Sequence, residues 1–127
     1  MSCRLSELVL NCNDPARLAD FWCAVLGYVV LDRDGEDIEI GPESGFGGLA
    51  PTIILAKVAD AGQARNPLRL HFDVNPVDRD QEAELERLLT LGARPADVGQ
   101  TGEEEWHVLA DPEGNEFCLL RRRIADL

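Results

Sequence analysis

Residues 13–28 read NDPARLADFWCAVLGY, and this stretch predicts a helix whose two ends are both defined. Asp14 is a good N-cap because its carboxylate accepts hydrogen bonds from free backbone amides, and Pro15 suits the first helical position. Gly27 is a residue type that commonly ends a helix. Between these ends, apolar side chains recur at helical spacing and share one face: Leu18, Phe21, Trp22, Val25 and Leu26.

Four extended segments surround this helix in the first half of the chain. Alternating apolar and polar side chains predict a strand before the helix. After it, the Asp34-Gly35 pair predicts a tight hairpin turn, because these residue types tolerate positive φ angles. A β-branched and apolar run then predicts the last strand. The predicted strands cover residues 5–12, 28–31, 38–40 and 52–58, so the first module has the order β-α-β-β-β.

The second half of the chain repeats this order. A helix predicted over residues 79–91 ends at Gly92. A turn at residues 111–114, which read DPEG, joins the last two strands. The four strands of this half are predicted at residues 70–74, 94–98, 105–110 and 116–120.

The two halves match in spacing as well as in order. Glu7 and His71 are 64 positions apart, as are Asp14 and Asp78. The matching order of elements indicates an internal repeat. We therefore predict one domain over residues 1–127, with module one over about residues 5–59, a linker over about 60–67 and module two over about 68–122.

Charge and composition exclude several classes of partner. The chain has 127 residues, with 24 Asp and Glu against 12 Lys and Arg, giving a formal net charge of −12. Apart from residues 121–123 it has no basic cluster, so neither nucleic acid nor an anionic membrane is expected as a partner. No apolar run approaches the roughly 18 residues of a membrane span. Four cysteines without CxxC spacing or a preceding signal peptide predict a reduced, cytoplasmic protein.

The repeated modules, the helix at residues 13–28 and the closing sequence DPEGNEFCLL at residues 111–120 resemble the vicinal oxygen chelate superfamily. This superfamily includes glyoxalases, extradiol dioxygenases and bleomycin-resistance proteins, and the chain is similar to its small glyoxalase-like branch. The resemblance implies an α+β fold in which two βαβββ modules form a U-shaped, mixed, mostly antiparallel sheet with helices on the convex side. It also implies a metal or ligand on the concave face, and a homodimer.

The resemblance places candidate metal ligands at Glu7, His71 and Cys118, the last at a position where Glu is usual. For the fourth position, the strand at residues 52–58 offers only Thr52 and Lys57, and neither is a credible ligand. Three protein ligands plus water form the pattern of an open catalytic zinc site, and a thiolate favours zinc among divalent ions. The residues equally allow no metal, with Cys118 as a small buried side chain.

Ligand-binding residues are expected on the polar faces of three predicted strands, because side chains alternate in direction along a strand. On this basis Asn11 and Asp73 are predicted to line the cavity. Trp106 and His107 lie on opposite faces of one strand, and either face can be the cavity. Trp106 therefore either forms a flat apolar surface against the ligand or packs in the core as an aromatic side chain. His107, if it faces inward, is a candidate general acid or base.

Two functional hypotheses follow from these residues and from the resemblance. The first is a glyoxalase-like protein that binds a small organic molecule in the concave sheet, as a metal-dependent lyase, isomerase or dioxygenase. In this hypothesis one divalent metal ion polarises vicinal oxygens of the substrate. The alternative is a metal-free, bleomycin-resistance-like protein that sequesters a drug, for which the negative net charge suits a cationic ligand.

Overall fold

The computed structural model describes residues 2, 4–59, 71–97 and 99–126. The chain divides into two compact units, Met1–Gly62 (unit 1) and Gln63–Leu127 (unit 2). The predicted linker at residues 60–67 lies outside the described residues.

Unit 1 contains one helix and one four-stranded sheet. The strands occur in the order β1-β4-β3-β2 across the sheet. Strand β1 pairs with β4 in parallel, and the other pairings are antiparallel. The elements are β1 (Glu7–Cys12), α1 (Pro15–Leu26), β2 (Val29–Asp34), β3 (Asp37–Gly41) and β4 (Thr52–Lys57).

Unit 2 repeats this topology, with the strand order β5-β8-β7-β6. Strands β5 and β8 are parallel, and the remaining pairs are antiparallel. The predicted α+β fold of two βαβββ modules, with mixed and mostly antiparallel pairing, is therefore confirmed. The elements are β5 (Phe72–Val74), α2 (Gln81–Leu91), β6 (Arg94–Pro95), β7 (His107–Ala110), β8 (Glu116–Leu119) and a short 3₁₀ helix at Ile124–Asp126.

The internal repeat extends to the register of the strands. In unit 1, Val9 lies opposite Ile54. In unit 2, Asp73 lies opposite Cys118, and both residues are 64 positions further along the chain. Polar side chains in unit 2 therefore occupy sheet positions that are apolar in unit 1.

Both helices end as their sequences predict, and α2 begins at Gln81, two residues after its predicted start. The Asp14 carboxylate accepts a hydrogen bond from the amide of Arg17 at 3.2 Å. In α2 the capping residue is Asp80, whose carboxylate accepts from the amide of Ala83 at 2.8 Å. The two capping residues are therefore 66 positions apart, two more than the offset of 64 that relates Glu7 to His71.

Each unit has its own apolar core. In unit 1, Phe21 and Trp22 of α1 are buried, with their rings edge to face and their centroids 5.2 Å apart. In unit 2, Leu88 of α2 is buried together with Leu109 of β7 and Phe117 of β8. Because strand side chains alternate, the neighbours of Leu109 and Phe117 along each strand point to the other face of the sheet.

Two further expectations concern the membrane and the cysteines. The helices α1 and α2 have 12 and 11 residues, and no helix in the described part of the chain is long and apolar enough to cross a membrane. The structure describes three cysteines, Cys12, Cys23 and Cys118, and none of these three forms a disulfide.

Candidate functional site

Unit 2 contains a cavity of about 570 Å³ on the sheet face that carries Cys118, and the core residue Phe117 also contributes to its lining. We call it the unit 2 cavity. Polar side chains line one part of it, and apolar side chains line the rest. The polar members are His71, Asp73, Glu116 and Cys118, and the apolar members include Trp106, Val108 and Leu120.

The strand register explains why these side chains share one face. Cys118 of β8 lies opposite Asp73 on one side and opposite Val108 on the other. Residues that are directly opposite in a sheet point to the same face, and so do residues two apart along a strand. Glu116 precedes Cys118 by two positions along β8 and so joins the same face, and Trp106, in the bend just before β7, also lines the cavity.

Three of the polar side chains form a candidate metal site. One ligand atom each from His71, Asp73 and Cys118 lies within 4.8 Å of the others. His71 Nε2 is 3.2 Å from Asp73 Oδ1, and both side chains are about half exposed. Burial raises the pKa of the Cys118 thiol, and the carboxylates of Asp73 and Glu116 raise it further. Without a cation, the thiol is therefore protonated at neutral pH.

The donor chemistry of this cluster fits a divalent cation. An imidazole nitrogen, a carboxylate oxygen and a thiolate sulfur are all common ligands of divalent metals. Three protein donors leave a coordination position for water or a substrate, which is the arrangement of catalytic sites. The half exposure of His71 and Asp73 leaves that position open to the cavity.

Four of the residues singled out from the sequence line this one cavity: His71, Asp73, Trp106 and Cys118. The sequence treated Asp73 as a ligand-binding residue and missed its place beside His71 and Cys118. It also missed Glu116, which is only 9% exposed. A signal for Glu116 was present, because it lies two positions before Cys118 and so shares its face of the strand.

His107 lies away from this cavity. The register that directs Val108 toward Cys118 turns His107 to the opposite face of β7. There its Nε2 is 3.2 Å from Glu82 Oε1, at the beginning of α2. An acid or base role in the unit 2 cavity requires that the His107 side chain point into the cavity. In the structure it points to the opposite face of the sheet.

The remaining two predicted site residues, Glu7 and Asn11, lie on β1 in unit 1. The Glu7 carboxylate accepts a hydrogen bond of 2.7 Å from the hydroxyl of Thr52, which is fully buried. Thr52 therefore orients Glu7. Asn11 is exposed on the same face of β1.

Glu39 of β3 is close to Glu7 and was not singled out from the sequence. Burial raises the pKa of the Glu39 carboxyl, and the negative charges of Glu7 and Asp32 raise it further, while a hydrogen bond with Thr52 lowers it. A raised pKa means that the folded state binds a proton more tightly than the unfolded chain. This contribution to stability is complete below the ordinary Glu pKa and is lost as the pH rises through the raised value.

Replacing Glu39 with Gln is therefore expected to stabilise the fold at neutral pH. Because solvent screens a partly exposed charge, the gain in the free energy of unfolding should be about 0.5 kcal/mol near pH 7, and it should shrink toward zero near pH 4.5. Urea denaturation at the two pH values measures it. Glu36→Gln, at an exposed turn between β2 and β3, is the matched control. An equal gain in the free energy of unfolding in both variants would contradict the assignment of a raised pKa to Glu39.

Comparison with solved structures shows the same fold in several proteins of low sequence identity. A mutant of the fosfomycin resistance protein FosX from Listeria monocytogenes, complexed with Mn(II) and 1S,2S-dihydroxypropylphosphonic acid, has 16% identity and a TM-score of 0.69, covering 94% of this chain and 90% of that chain. A hypothetical protein from S. aureus has 14% identity and a TM-score of 0.63, with 96% of each chain covered.

A glyoxalase/bleomycin resistance protein/dioxygenase family enzyme from Burkholderia phytofirmans has 17% identity and a TM-score of 0.60, covering 92% of this chain and 97% of that chain. No curated protein sequence gives a significant match. The model of the glyoxalase-like domain family matches residues 7–120, which span both modules. The chain therefore belongs to the glyoxalase-like domain family, within the vicinal oxygen chelate fold.

Proposed function

We propose that the unit 2 cavity binds a small organic molecule beside a divalent cation held by His71, Asp73 and Cys118. The observation that supports this most is the convergence of three different donor atoms within 4.8 Å on the lining of a 570 Å³ cavity. Cavities of about 300–1,000 Å³ are typical of small-molecule sites. The proposal thus joins a cation site and an organic-ligand site in one unit.

Zinc is the ion that this donor set favours. A thiolate ligand selects zinc over the harder ions that prefer oxygen, and an imidazole also suits zinc. When bound, the ion would supply Lewis acidity and polarise vicinal oxygen atoms of a substrate. Metal-assisted proton transfer or elimination is the class of reaction that such a site supports.

The protein's own residues have separate tasks in this proposal. Trp106 and Val108 provide an apolar surface against which the organic part of the ligand packs. Glu116 lies on the same lining and is not one of the three donors, so we assign its carboxylate the role of general base next to the ligand. Its burial keeps bulk water from the base.

A metal-free protein that sequesters a drug remains the alternative, and metal binding separates the two hypotheses. The role of Glu7 as a metal ligand, which the family resemblance implies, stays a prediction. The homodimer and the cytoplasmic location stay predictions.

Zinc affinity is expected to depend on pH, because the Cys118 thiol must lose its proton to bind. Between about pH 7 and pH 8 the association constant should rise about tenfold per pH unit, because the thiol releases one proton for each ion bound. Calorimetric titration of zinc into chelator-treated protein between about pH 7 and pH 8 measures this slope. Cys118→Ala should lose most of the affinity, and Cys23→Ala, at a partly exposed thiol of unit 1, should keep both affinity and slope.

Absence of binding tighter than about 1 mM at every pH would reject the metal and favour the sequestering alternative. An unchanged affinity in Cys118→Ala would show that zinc binds elsewhere.

A further inference from the structure

We infer that Gln81, the first residue of α2, is a positioning residue for the organic ligand of the unit 2 cavity, because it holds the backbone beside Trp106 in place. This role rests on the proposed function of the cavity as an organic-ligand site. It adds a residue that acts from outside the cavity, since Gln81 itself lines a different pocket of unit 2.

Trp106 lies just outside the paired strands of unit 2. Strand β7 begins at His107, which pairs with Leu119, and residues 104–106 form a bend before it. The pairing that orders the strand therefore begins one residue after Trp106. The indole is nevertheless part of the cavity lining, where it is 45% exposed. Its position at the cavity thus depends on contacts that fix the bend.

The side chain of Gln81 ties this bend to the neighbouring strand. Its amide group donates to the carbonyl of Glu105 at 2.8 Å and to the carbonyl of Leu119 at 3.2 Å. Glu105 directly precedes Trp106, and Leu119 directly follows Cys118. One amide group therefore restrains where the backbone of the indole stands relative to the strand that carries the thiol.

Two ion pairs among the described residues also reach this segment, but both are exposed. Arg121 donates to the Glu105 carboxylate at 3.1 Å, and these side chains are 67% and 73% exposed. His107 lies 3.2 Å from Glu82, which is 76% exposed. Ion pairs of this kind contribute little to stability, because solvent screens them. The two hydrogen bonds of Gln81, one of them partly buried, are therefore the stronger restraint.

The beginning of α2 does not by itself account for these two hydrogen bonds. The free backbone groups at the beginning of a helix are N–H donors, which need acceptors. Asp80 supplies the acceptor, because its carboxylate accepts from the amide of Ala83 at 2.8 Å. Gln81 instead uses its own donor group, toward two carbonyls outside the helix. Its side chain therefore serves the bend rather than the helix.

A restrained indole lowers the cost of binding a ligand. Trp106 presents a flat, apolar surface to the cavity. A side chain that is already ordered in the free protein loses less conformational freedom when a ligand packs against it. Residues behind a binding site provide this order by holding the contacting side chains in place. Gln81 therefore acts on the ligand through Trp106.

NMR relaxation of the indole N–H groups tests this role in the free protein. The chain has two tryptophans, so isotope-labelled protein gives two indole signals, and Trp106→Phe assigns them. In the wild type, the order parameter of the Trp106 indole should be close to about 0.85, the value of a rigid backbone. Gln81→Met and Gln81→Glu keep the length of the side chain and remove its donor. In both variants the order parameter should fall below about 0.6.

Controls separate positioning from a general loss of structure. His107→Ala removes the exposed pair with Glu82, which joins the same two elements, and should leave the order parameter unchanged. Trp22, buried in unit 1, gives a reference signal in each spectrum. Gln81→Glu places a carboxylate in the first turn of α2, where a negative charge favours a helix. Thermal unfolding of every variant checks that the fold is retained.

Binding of styrene glycol tests the link to the ligand. This neutral probe offers a phenyl ring to Trp106 and two vicinal hydroxyls to a cation. Line widths of its proton NMR signals report binding to zinc-loaded and chelator-treated protein. Gln81→Met should weaken binding about fivefold, which is the cost of ordering one side chain. In a Trp106→Leu background, Gln81→Met should have no further effect, because its action passes through the indole.

An order parameter that stays at the wild-type value in either Gln81 variant would overturn the inference, because both variants lack the donor. The inference would also fall if Gln81→Met weakened glycol binding equally in the wild-type and Trp106→Leu backgrounds. If the glycol binds to neither form of the wild type, the organic-ligand part of the proposed function fails, and the order parameters alone decide whether Gln81 positions Trp106.

Discussion

Replacing Asp111 with alanine is expected to lower the free energy of unfolding by about 3 kcal/mol and the melting temperature by roughly 10 °C. Asp111 is fully buried at the turn between β7 and β8. Its Oδ1 accepts from the amides of Glu113 and Asn115, each at 2.9 Å. The side-chain amide of Asn115 donates to both carboxylate oxygens. Alanine would leave these donors without their acceptor.

Urea denaturation of the wild type and two comparison variants measures this effect. Asp111→Asn keeps one side-chain oxygen and should lower the free energy of unfolding by about 1 kcal/mol. Asp20→Ala, at an exposed position of α1, should change stability by less than about 0.5 kcal/mol. If Asp111→Ala is no more destabilising than Asp20→Ala, the turn does not depend on this carboxylate.

The same turn shows what the sequence could predict. The DPEG motif predicts a turn between two strands because its residue types favour that backbone geometry locally. Likewise, Asp14, Pro15 and Gly27 define α1 through contacts within a few residues, and the structure confirms both of its ends. Local chemistry of this kind is fully contained in the sequence.

The side of β7 that faces the cavity could not be predicted in this way. Alternation separates Trp106 from His107, but it does not say which of them faces inward. That choice depends on pairing with β8, where Val108 lies opposite Cys118. Asp73 likewise joins the candidate metal site through its register with Cys118, a contact between residues far apart in the chain. Pairing of distant strands is set by the whole unit rather than by local residue preference.

Replacing His71 with alanine is expected to weaken zinc binding by more than about 100-fold. Even residues that only orient metal ligands are worth about 10- to 100-fold in affinity, so the loss of a ligand should cost more. Calorimetric titration of chelator-treated protein measures the change. His107→Ala is the matched control, because the chain has two histidines and His107 pairs with Glu82 outside the cavity.

An equal loss of affinity in His71→Ala and His107→Ala would indicate that the fold, rather than the ligand set, had been disturbed. Retained affinity in His71→Ala would remove this residue from the metal site. Thermal unfolding of the metal-free variants separates the first outcome from a true ligand effect.

Absorption spectroscopy with cobalt(II) in place of zinc tests the central claim most directly, because a thiolate bound to cobalt(II) gives a charge-transfer band in the near ultraviolet. The proposed site predicts that this band saturates at one equivalent of cobalt(II), disappears in Cys118→Ala and persists in Cys23→Ala. A spectrum of solvated cobalt(II) alone, or a charge-transfer band that survives in Cys118→Ala, would contradict a metal centre built on His71, Asp73 and Cys118.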